Sequence, residues 1–346
     1  MTHDMTRALL AWYGQNKRDL PWRDSPSAYH TWVSEIMLQQ TRAEAVKPYY
    51  IRFIAALPSI KDLADVDGDR LFKLWEGLGY YARARNLKKA AQMIMREHNG
   101  VLPSSPEDLL KLPGIGLYTA GAVASIACGV PVPAVDGNVL RVCARLFADF
   151  SDVSLEQTRR EVSARLLRAM PPERPGEFNQ ALMELGACVC LPKSPRCAKP
   201  PSLEGGGPEG AGGCPLAEHC LAHAQNLTSQ LPVKSPKKPR RIEHRSLLIL
   251  RFEEKLALRK RPPKGLLAGL WELPEAFDIP PELVISREPA GNAVHIFTHI
   301  EWHMQADRVL LRDVTDAGGL VWVTQEQLER DYALPSAFAG FRGKMF

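Results

Sequence analysis

Long apolar runs are missing from this chain. Within its 346 residues, no window is apolar and long enough to cross a bilayer, which excludes a helical membrane protein. The N-terminal segment MTHDMTRALLAWYGQNKRDL lacks the apolar core of a secretory leader, so the expected compartment is the cytoplasm, with no membrane partner. A strong charge of one sign is missing too. Lys and Arg total 44 against 39 Asp and Glu, a net charge of +5. That balance admits an anionic partner without identifying one. No internal repeat is visible. At this length the chain has room for two domains with cores of their own.

Cysteine is scarce and unevenly placed. Cys128 and Cys143 fall in apolar helical sequence and read as packing residues. Cys188, Cys190, Cys197, Cys214 and Cys220 crowd into one short segment. Inside a cell, such a cluster points to a metal or redox site before structural disulfides.

Up to about Asn226 the pattern is helical. Apolar residues recur three and four apart in Ala8–Tyr13, Tyr29–Met37, Leu71–Leu78, Leu87–Ile94, Leu117–Cys128, Val139–Phe147 and Val162–Leu167. Pro and Gly punctuate these runs at Leu102–Pro106 and Pro171–Gly176. Pro200–Gly213, PPSLEGGGPEGAGG, is a low-complexity loop. Lys234–Arg245 is basic and rich in proline, a stiff linker that either tethers two domains or touches phosphates. Beyond it, Arg245–Arg251 and Ala257–Arg259 predict a hairpin turning at Glu-Glu-Lys. Ala293–Ile300, Val309–Leu311 and Gly319–Val323 predict further strands, and Gln325–Tyr332 a helix. The expected division is 1–226, a helical domain; 227–243, a basic linker; and 244–346, a domain of α+β type.

The densest signal is Leu112–Asn138, LPGIGLYTAGAVASIACGVPVPAVDGN. Gly114 and Gly116 break the short helix Pro106–Leu112 just before Leu117 begins another. Glycine permits the positive φ and close backbone approach of a tight turn. Such a turn presents backbone N–H groups at a helix N-terminus, where a phosphate binds well. An ordinary αα-turn would use the same glycines. Asp136 stands where it caps the helix that follows, and the helix dipole and free N–H groups favour its ionised form. An ionised carboxylate there stabilises a cation, or serves as a plain N-cap. In Trp32–Arg42, WVSEIMLQQTR, Glu35 lies at the edge of an apolar helix face. Desolvated beside aromatics it would gain a raised pKa and act as a general acid. On the other side of that edge it is a solvent-facing glutamate.

Four motifs in order choose between these readings: PWR at Pro21–Arg23, SEIMLQQT at Ser34–Thr41, GLGYYARARNL at Gly77–Leu87 and VDGNV at Val135–Val139. Together with the hairpin they resemble the adenine DNA glycosylases of the MutY type, in the helix-hairpin-helix or endonuclease III superfamily. The resemblance covers nearly the whole N-terminal domain. It implies a hydrolase acting on N-glycosyl bonds, which removes adenine mispaired with 8-oxoguanine or guanine from double-stranded DNA during base excision repair, as a monomer associated with DNA in the cytoplasm. It also implies residue roles. Glu35 protonates a ring nitrogen of the extruded adenine, and Asp136 stabilises the oxocarbenium-like sugar. Tyr118 and Asn138 organise this site. Arg23, Gln39, Gln40 and Tyr80 fall in motifs that contact or probe the lesion, and Gly114 and Gly116 hold the DNA backbone. Such a pocket receives only a flipped base. For Gln39 and Tyr80, helix surface and packing are the plain alternatives.

Bifunctional relatives carry a lysine where this chain has Tyr118. Without that amine no Schiff base with the sugar forms, which points to simple base removal. Two alternatives stand beside this reading: an endonuclease III-like bifunctional glycosylase and lyase acting on oxidised pyrimidines, and a non-catalytic DNA-binding module.

Cys190, Cys197, Cys214 and Cys220 are spaced C-x6-C-x16-C-x5-C. Four cysteines suit zinc or an iron–sulfur cluster, or stay free thiols. The resemblance implies a [4Fe–4S] cluster on C-x6-C-x2-C-x5-C, so Pro200–Gly213 reads as an insertion between two ligands. Lengthening that closed loop from about three to about seventeen residues costs only about 1.5 kcal/mol. Cys188 then reads as a packing residue. Arg261–Glu275, RPPKGLLAGLWELPE, resembles the opening of a Nudix-like domain, but the Nudix hydrolase box does not follow it, and no phosphate hydrolysis is implied. In the family this domain recognises 8-oxoguanine, and the matching residues are Phe297, Thr298 and His299; for His299 a strand histidine without a ligand is the plain alternative. The expected architecture is thus an all-α glycosylase domain with an iron–sulfur loop, followed by an α+β Nudix-like domain.

Overall fold

The computed structural model describes residues 1–24, 27–197, 213–236, 239–314 and 319–346. They form two compact units: Met1–Ala64 with Leu87–Pro236, and Asp65–Asn86 with Lys237–Phe346. The low-complexity loop at 200–213 lies outside the described residues except for Gly213.

The first unit is helical. It contains α1 (His3–Asn16), α2 (Ala28–Leu38), α3 (Ala43–Ala56), most of α4 (Ile60–Asp65), the later part of α6 (Ala82–Glu97), α7 (Pro106–Leu109), α8 (Leu117–Cys128), α9 (Gly137–Leu146), α10 (Glu156–Leu167) and α11 (Pro175–Cys188); α5 (Gly68–Trp75) belongs to the second unit. Leu9 and Trp12 of α1, Val139 and Val142 of α9, Leu166 of α10 and Phe178, Leu182 and Leu185 of α11 share one core. Each such side chain contributes about 1.5–3 kcal/mol by leaving water.

Three of these helices fall outside the apolar runs of the sequence, the six-residue α4 among them. α3 keeps Val46, Tyr50 and Phe53 buried although Pro48 interrupts its hydrogen bonding. α11 is buried nearly all round, polar Asn179 and Glu184 included, so it has no polar stripe to contrast with an apolar one.

The hairpin lies between α7 and α8. Gly114 takes φ +81°, the left-handed turn expected of it. Gly116 does not: at φ −102° and ψ −179° it is extended, a conformation open to any residue. It caps α8 without a side chain, and a Cβ there would meet no other part of the protein. Helix α7 is also shorter than its sequence suggests, ending at Leu109.

The second unit is built on a six-stranded sheet of β1 (Arg241–Phe252), β2 (Lys255–Lys260), β3 (Trp271–Glu272), β4 (Val284–Ile296), β5 (Ile300–Leu311) and β6 (Leu320–Val323), in the order β3-β2-β1-β5-β4, with β6 also on β2. β1 and β5 run parallel from Arg241↔Ile300 to Arg251↔Leu310. The last part of the expected linker, Arg241–Glu243, is therefore already strand. β4 begins well before the expected Ala293. It is an edge strand, so Pro289 costs it little, and a register shift between Pro289 and Gly291 bends it. Residues 297–299 leave the ladder and turn the chain between β4 and β5.

Within this unit Asp65–Asn86 is held by polar bonds. Lys73 Nζ donates to Leu328 O (3.1 Å) and Tyr332 O (3.3 Å), Lys260 pairs with Asp69 (2.7 Å), and Arg85 Nη1 donates to Ala268 O (2.7 Å).

Helix α8 packs against α2 and α11 through its small residues. Alanine is the better helix former by about 1 kcal/mol, yet a Cβ on Gly121 would lie 2.4 Å from Pro133 O. Forcing packed backbone apart costs about 1–3 kcal/mol. Gly121→Ala is thus expected to lower the melting temperature. A rise in scanning calorimetry would show that the 133 loop yields.

Candidate active site and cysteine loop

Glu35 lies in the last turns of α2 and is only 6% exposed. The solvent-facing alternative is excluded. Tyr118 Oη, from the first turn of α8, donates a short hydrogen bond to Glu35 Oε2. Burial pushes the Glu35 carboxyl up to about 7; the Tyr118 bond pulls it down, the charge of Asp136 pushes it up and Arg23 pulls it down. A carboxyl with that value carries a proton near neutral pH and gives it up readily.

Asp136 is the N-cap of α9. Its Oδ1 accepts from Val139 N (2.7 Å) and its Oδ2 from Asn138 Nδ2 (2.9 Å). The cap geometry is the expected one, but the electrostatics differ. Burial outweighs the hydrogen bonds and Arg141, and holds the Asp136 carboxyl above its ordinary value. Asn138 is fixed on its other side by Arg141 Nη2 (3.0 Å to Oδ1), and its Cβ packs so closely on α11 that a Cβ at Gly186 would lie 2.6 Å away.

Glu35, Tyr118, Asp136 and Asn138 line one open cleft with a volume of about 1340 Å³. Met183, Arg23 and Glu184 line it too. Glu184 is buried, and burial alone would raise its pKa. Bonds to Arg18 (2.7 Å) and Arg23 (2.9 Å) pull it below the usual carboxylate value instead. Arg23 also donates to Arg18 O (2.8 Å) and stacks over Tyr13. The sequence reading missed Glu184, Met183 and Arg141. The first two sit on α11, where Pro175 at the helix start was the available signal.

The remaining expected residues are placed as follows. Gln39 caps the end of α2 and donates to Thr119 Oγ1 (3.2 Å). Gln40 follows at φ +61°, exposed, on the cleft wall. Gly114 and Gly116 are exposed at the hairpin. In the second unit, Tyr80 is 49% exposed at φ +47°, with its hydroxyl 3.3 Å from Thr298 Oγ1. Phe297 packs on His295 and Trp302, and Arg240 Nε donates to its carbonyl (3.1 Å). Thr298 and His299 stand exposed in the turn.

Cys190, Cys214 and Cys220 pack against the core of the first unit. Cys197, Cys214 and Cys220 each lie within electrostatic reach of Cys190. Arg145, buried on α9, donates to Cys190 Sγ (3.4 Å), Leu191 O (2.6 Å) and Pro192 O (3.1 Å). Among the described residues, no three His, Cys, Asp or Glu side chains converge on one metal ion.

Residues 33–172 match the HhH-GPD superfamily base excision DNA repair protein family, and residues 245–341 match the NUDIX domain. The adenine DNA glycosylase of Mus musculus is 35% identical, over 92% of this chain and 73% of its own length. The chain belongs to the adenine DNA glycosylase family. The adenine DNA glycosylase of Arabidopsis thaliana is 37% identical over 86% of this chain, which spans 56% of that protein's length. A solved non-covalent endonuclease III–DNA complex aligns with a TM-score of 0.53 and 25% identity, covering 66% of this chain and 99% of that one. Among the described residues, no helix is long and apolar enough to cross a membrane.

A hydroxyl donating to a carboxylate stabilises its charged form. Tyr118→Phe removes that bond and is expected to raise the Glu35 pKa above about 7. NMR titration of the Glu35 carboxyl carbon in the two proteins checks this, and a lower value in the variant would contradict it.

Proposed function

We propose that this chain is a monofunctional adenine DNA glycosylase, acting as a monomer on double-stranded DNA that carries adenine opposite 8-oxoguanine or guanine. The observation that carries the reading is the pairing in one cleft of a buried carboxyl titrating near 7, Glu35, with a capped carboxyl, Asp136. The names of the relatives and their span over most of this chain support the substrate.

The chemistry follows from the two carboxyls. Protonated Glu35 gives its proton to a ring nitrogen of the flipped adenine. The glycosidic C–N bond then breaks with its electron pair going to the base. Positive charge spreads over the sugar carbon and ring oxygen, facing Asp136. Water adds to the sugar carbon and gives up a proton that restores the Glu35 acid, leaving free adenine and an abasic site. Tyr118 and Asn138 orient the two carboxyls through the bonds described above. Tyr118 also fills the position where a lyase would carry its amine. The hairpin N–H groups and the exposed N-terminus of α8 suit a DNA phosphate. Arg23, Gln39, Gln40, Tyr80, Phe297, Thr298 and His299 are assigned to the lesion and its partner base.

Cys190, Cys197, Cys214 and Cys220 would hold a [4Fe–4S] cluster. The donor set suits it, since four cysteine thiolates are the ligands such a cluster takes. Held there, a cluster would tie four chain positions together and shape the loop for DNA, since this hydrolysis needs no redox step.

The deciding experiment uses a duplex with one adenine opposite 8-oxoguanine, followed by hot alkali. Scission is expected at that adenine, and Glu35→Gln should lose about 10²–10⁴ in rate. No scission, or full activity in the variant, overturns the reading. Purified protein should show broad visible absorption and about four iron and four sulfide per chain, lost in Cys214→Ser. Zinc in their place would refute the cluster.

A further inference from the structure

The segment that delivers Asp136, Val132–Val135, belongs to no helix and no strand. Its backbone polar groups therefore need partners from elsewhere. Asn179 of α11, fully buried, supplies two. Its Nδ2 donates to Val132 O (2.9 Å) and its Oδ1 accepts from Ala134 N (3.0 Å). Its other Nδ2 proton goes to Ser125 Oγ of α8 (2.7 Å), and that hydroxyl in turn donates to Gly121 O (2.7 Å). Arg159 Nη1 holds Val135 O (2.7 Å). One side-chain amide thus clamps both edges of a three-residue stretch that ends two residues before the carboxylate.

We infer that Asn179 is a positioning residue for Asp136. It fixes the path of Val132–Ala134, and with it the direction from which the Asp136 carboxylate enters the cleft. The charged and polar groups that face Asp136 are Glu35 and Tyr118 from α2 and α8, and Asn138 and Arg141 from α9. The hydrogen bonds of Asn179 go to none of these four, so it acts through the backbone alone. A cap held by its own helix sets where the carboxylate bonds; the clamp sets where the whole cap stands. The inference rests on the glycosylase reading above.

Three variants separate loop clamping from simple bracing. Asn179→Ala removes all three bonds. Asn179→Asp keeps the acceptor for Ala134 N and the side-chain volume, but replaces the donors to Val132 and Ser125. Ser125→Ala breaks only the α8–α11 cross-link. Single-turnover adenine release is measured together with affinity for a duplex carrying a non-hydrolysable adenine analogue, and amide exchange is followed at Ala134. Asn179→Ala is expected to slow release about 100-fold, as a misplaced reacting group does, with affinity retained and faster exchange at Ala134. Asn179→Asp should slow release at unchanged affinity, and Ser125→Ala should stay close to the unaltered protein. Equal losses in Ser125→Ala and the Asn179 variants, or losses matched by a fall in the folded fraction, would overturn the inference. So would full activity in Asn179→Ala. If the unaltered protein releases no adenine, it is the glycosylase reading that fails, while the exchange data still report whether Asn179 holds the loop.

Discussion

Two carboxyl groups in one desolvated cleft cannot both carry charge cheaply, and the site depends on how that conflict is resolved. Burial pushes both Glu35 and Asp136 upward, and the charge on Asp136 pushes Glu35 further. Hydrogen bonds divide the roles. Asp136 receives the Val139 N–H and both the backbone and side-chain N–H groups of Asn138, all of which favour an anion. Glu35 receives one phenol. Against burial and the charge of Asp136 that single bond, with the pull of Arg23, leaves the Glu35 carboxyl raised to about 7. Two ordinary carboxyls come to differ because one of them caps a helix and the other does not.

That resolution needs a rigid surround, and buried charges supply it. Glu184 holds Arg18 and Arg23 at the cleft wall. Arg145 spends its guanidinium on three carbonyls and a thiol. Arg141 joins Asn138 to Gly186 O and Cys190 O, so the cap of Asp136 and the start of the cysteine loop share a side chain. Removing the arginines that hold Glu184 costs about 3–5 kcal/mol, because its carboxylate is left charged and dry. These groups constrain geometry more than they add net stability.

What was legible in the sequence follows the same physics. Helices with one polar face, such as α6 and α10, show themselves by period, and Glu35 stood out as a carboxyl at the edge of an apolar face. Helix α11 did not, since burial on every side erases the contrast that period detects, and its Asn179 and Glu184 stayed hidden with it. The early half of β4 was hidden for the opposite reason: as an edge strand it is polar, bulged and carries a proline. Gly116 looked like a turn glycine because it follows Gly114, yet only Gly114 needs the left-handed turn. Tyr118 was readable as a missing amine. Its bond to Glu35 was not, because it joins α2 to α8 across 83 residues of chain.

The second unit shows the same economy applied to a different end. Buried Glu272 is bound by Arg245, Arg259 and Arg261, and Arg245 also takes Glu275 and lies over Trp302. Carboxylates neutralised by guanidinium groups have little left to offer a divalent cation. A Nudix-like sheet arranged this way serves as a frame. Trp302 at its core receives the Phe297 ring, and Phe297 in turn anchors the tight connection between β4 and β5. With its first residue packed and its carbonyls taken by Arg240 and Arg241, that connection leaves Thr298 and His299 outward, beside the Tyr80 hydroxyl. The packing around Trp302 thus both sets the arginines that occupy Glu272 and fixes the turn that holds Thr298 and His299 outward.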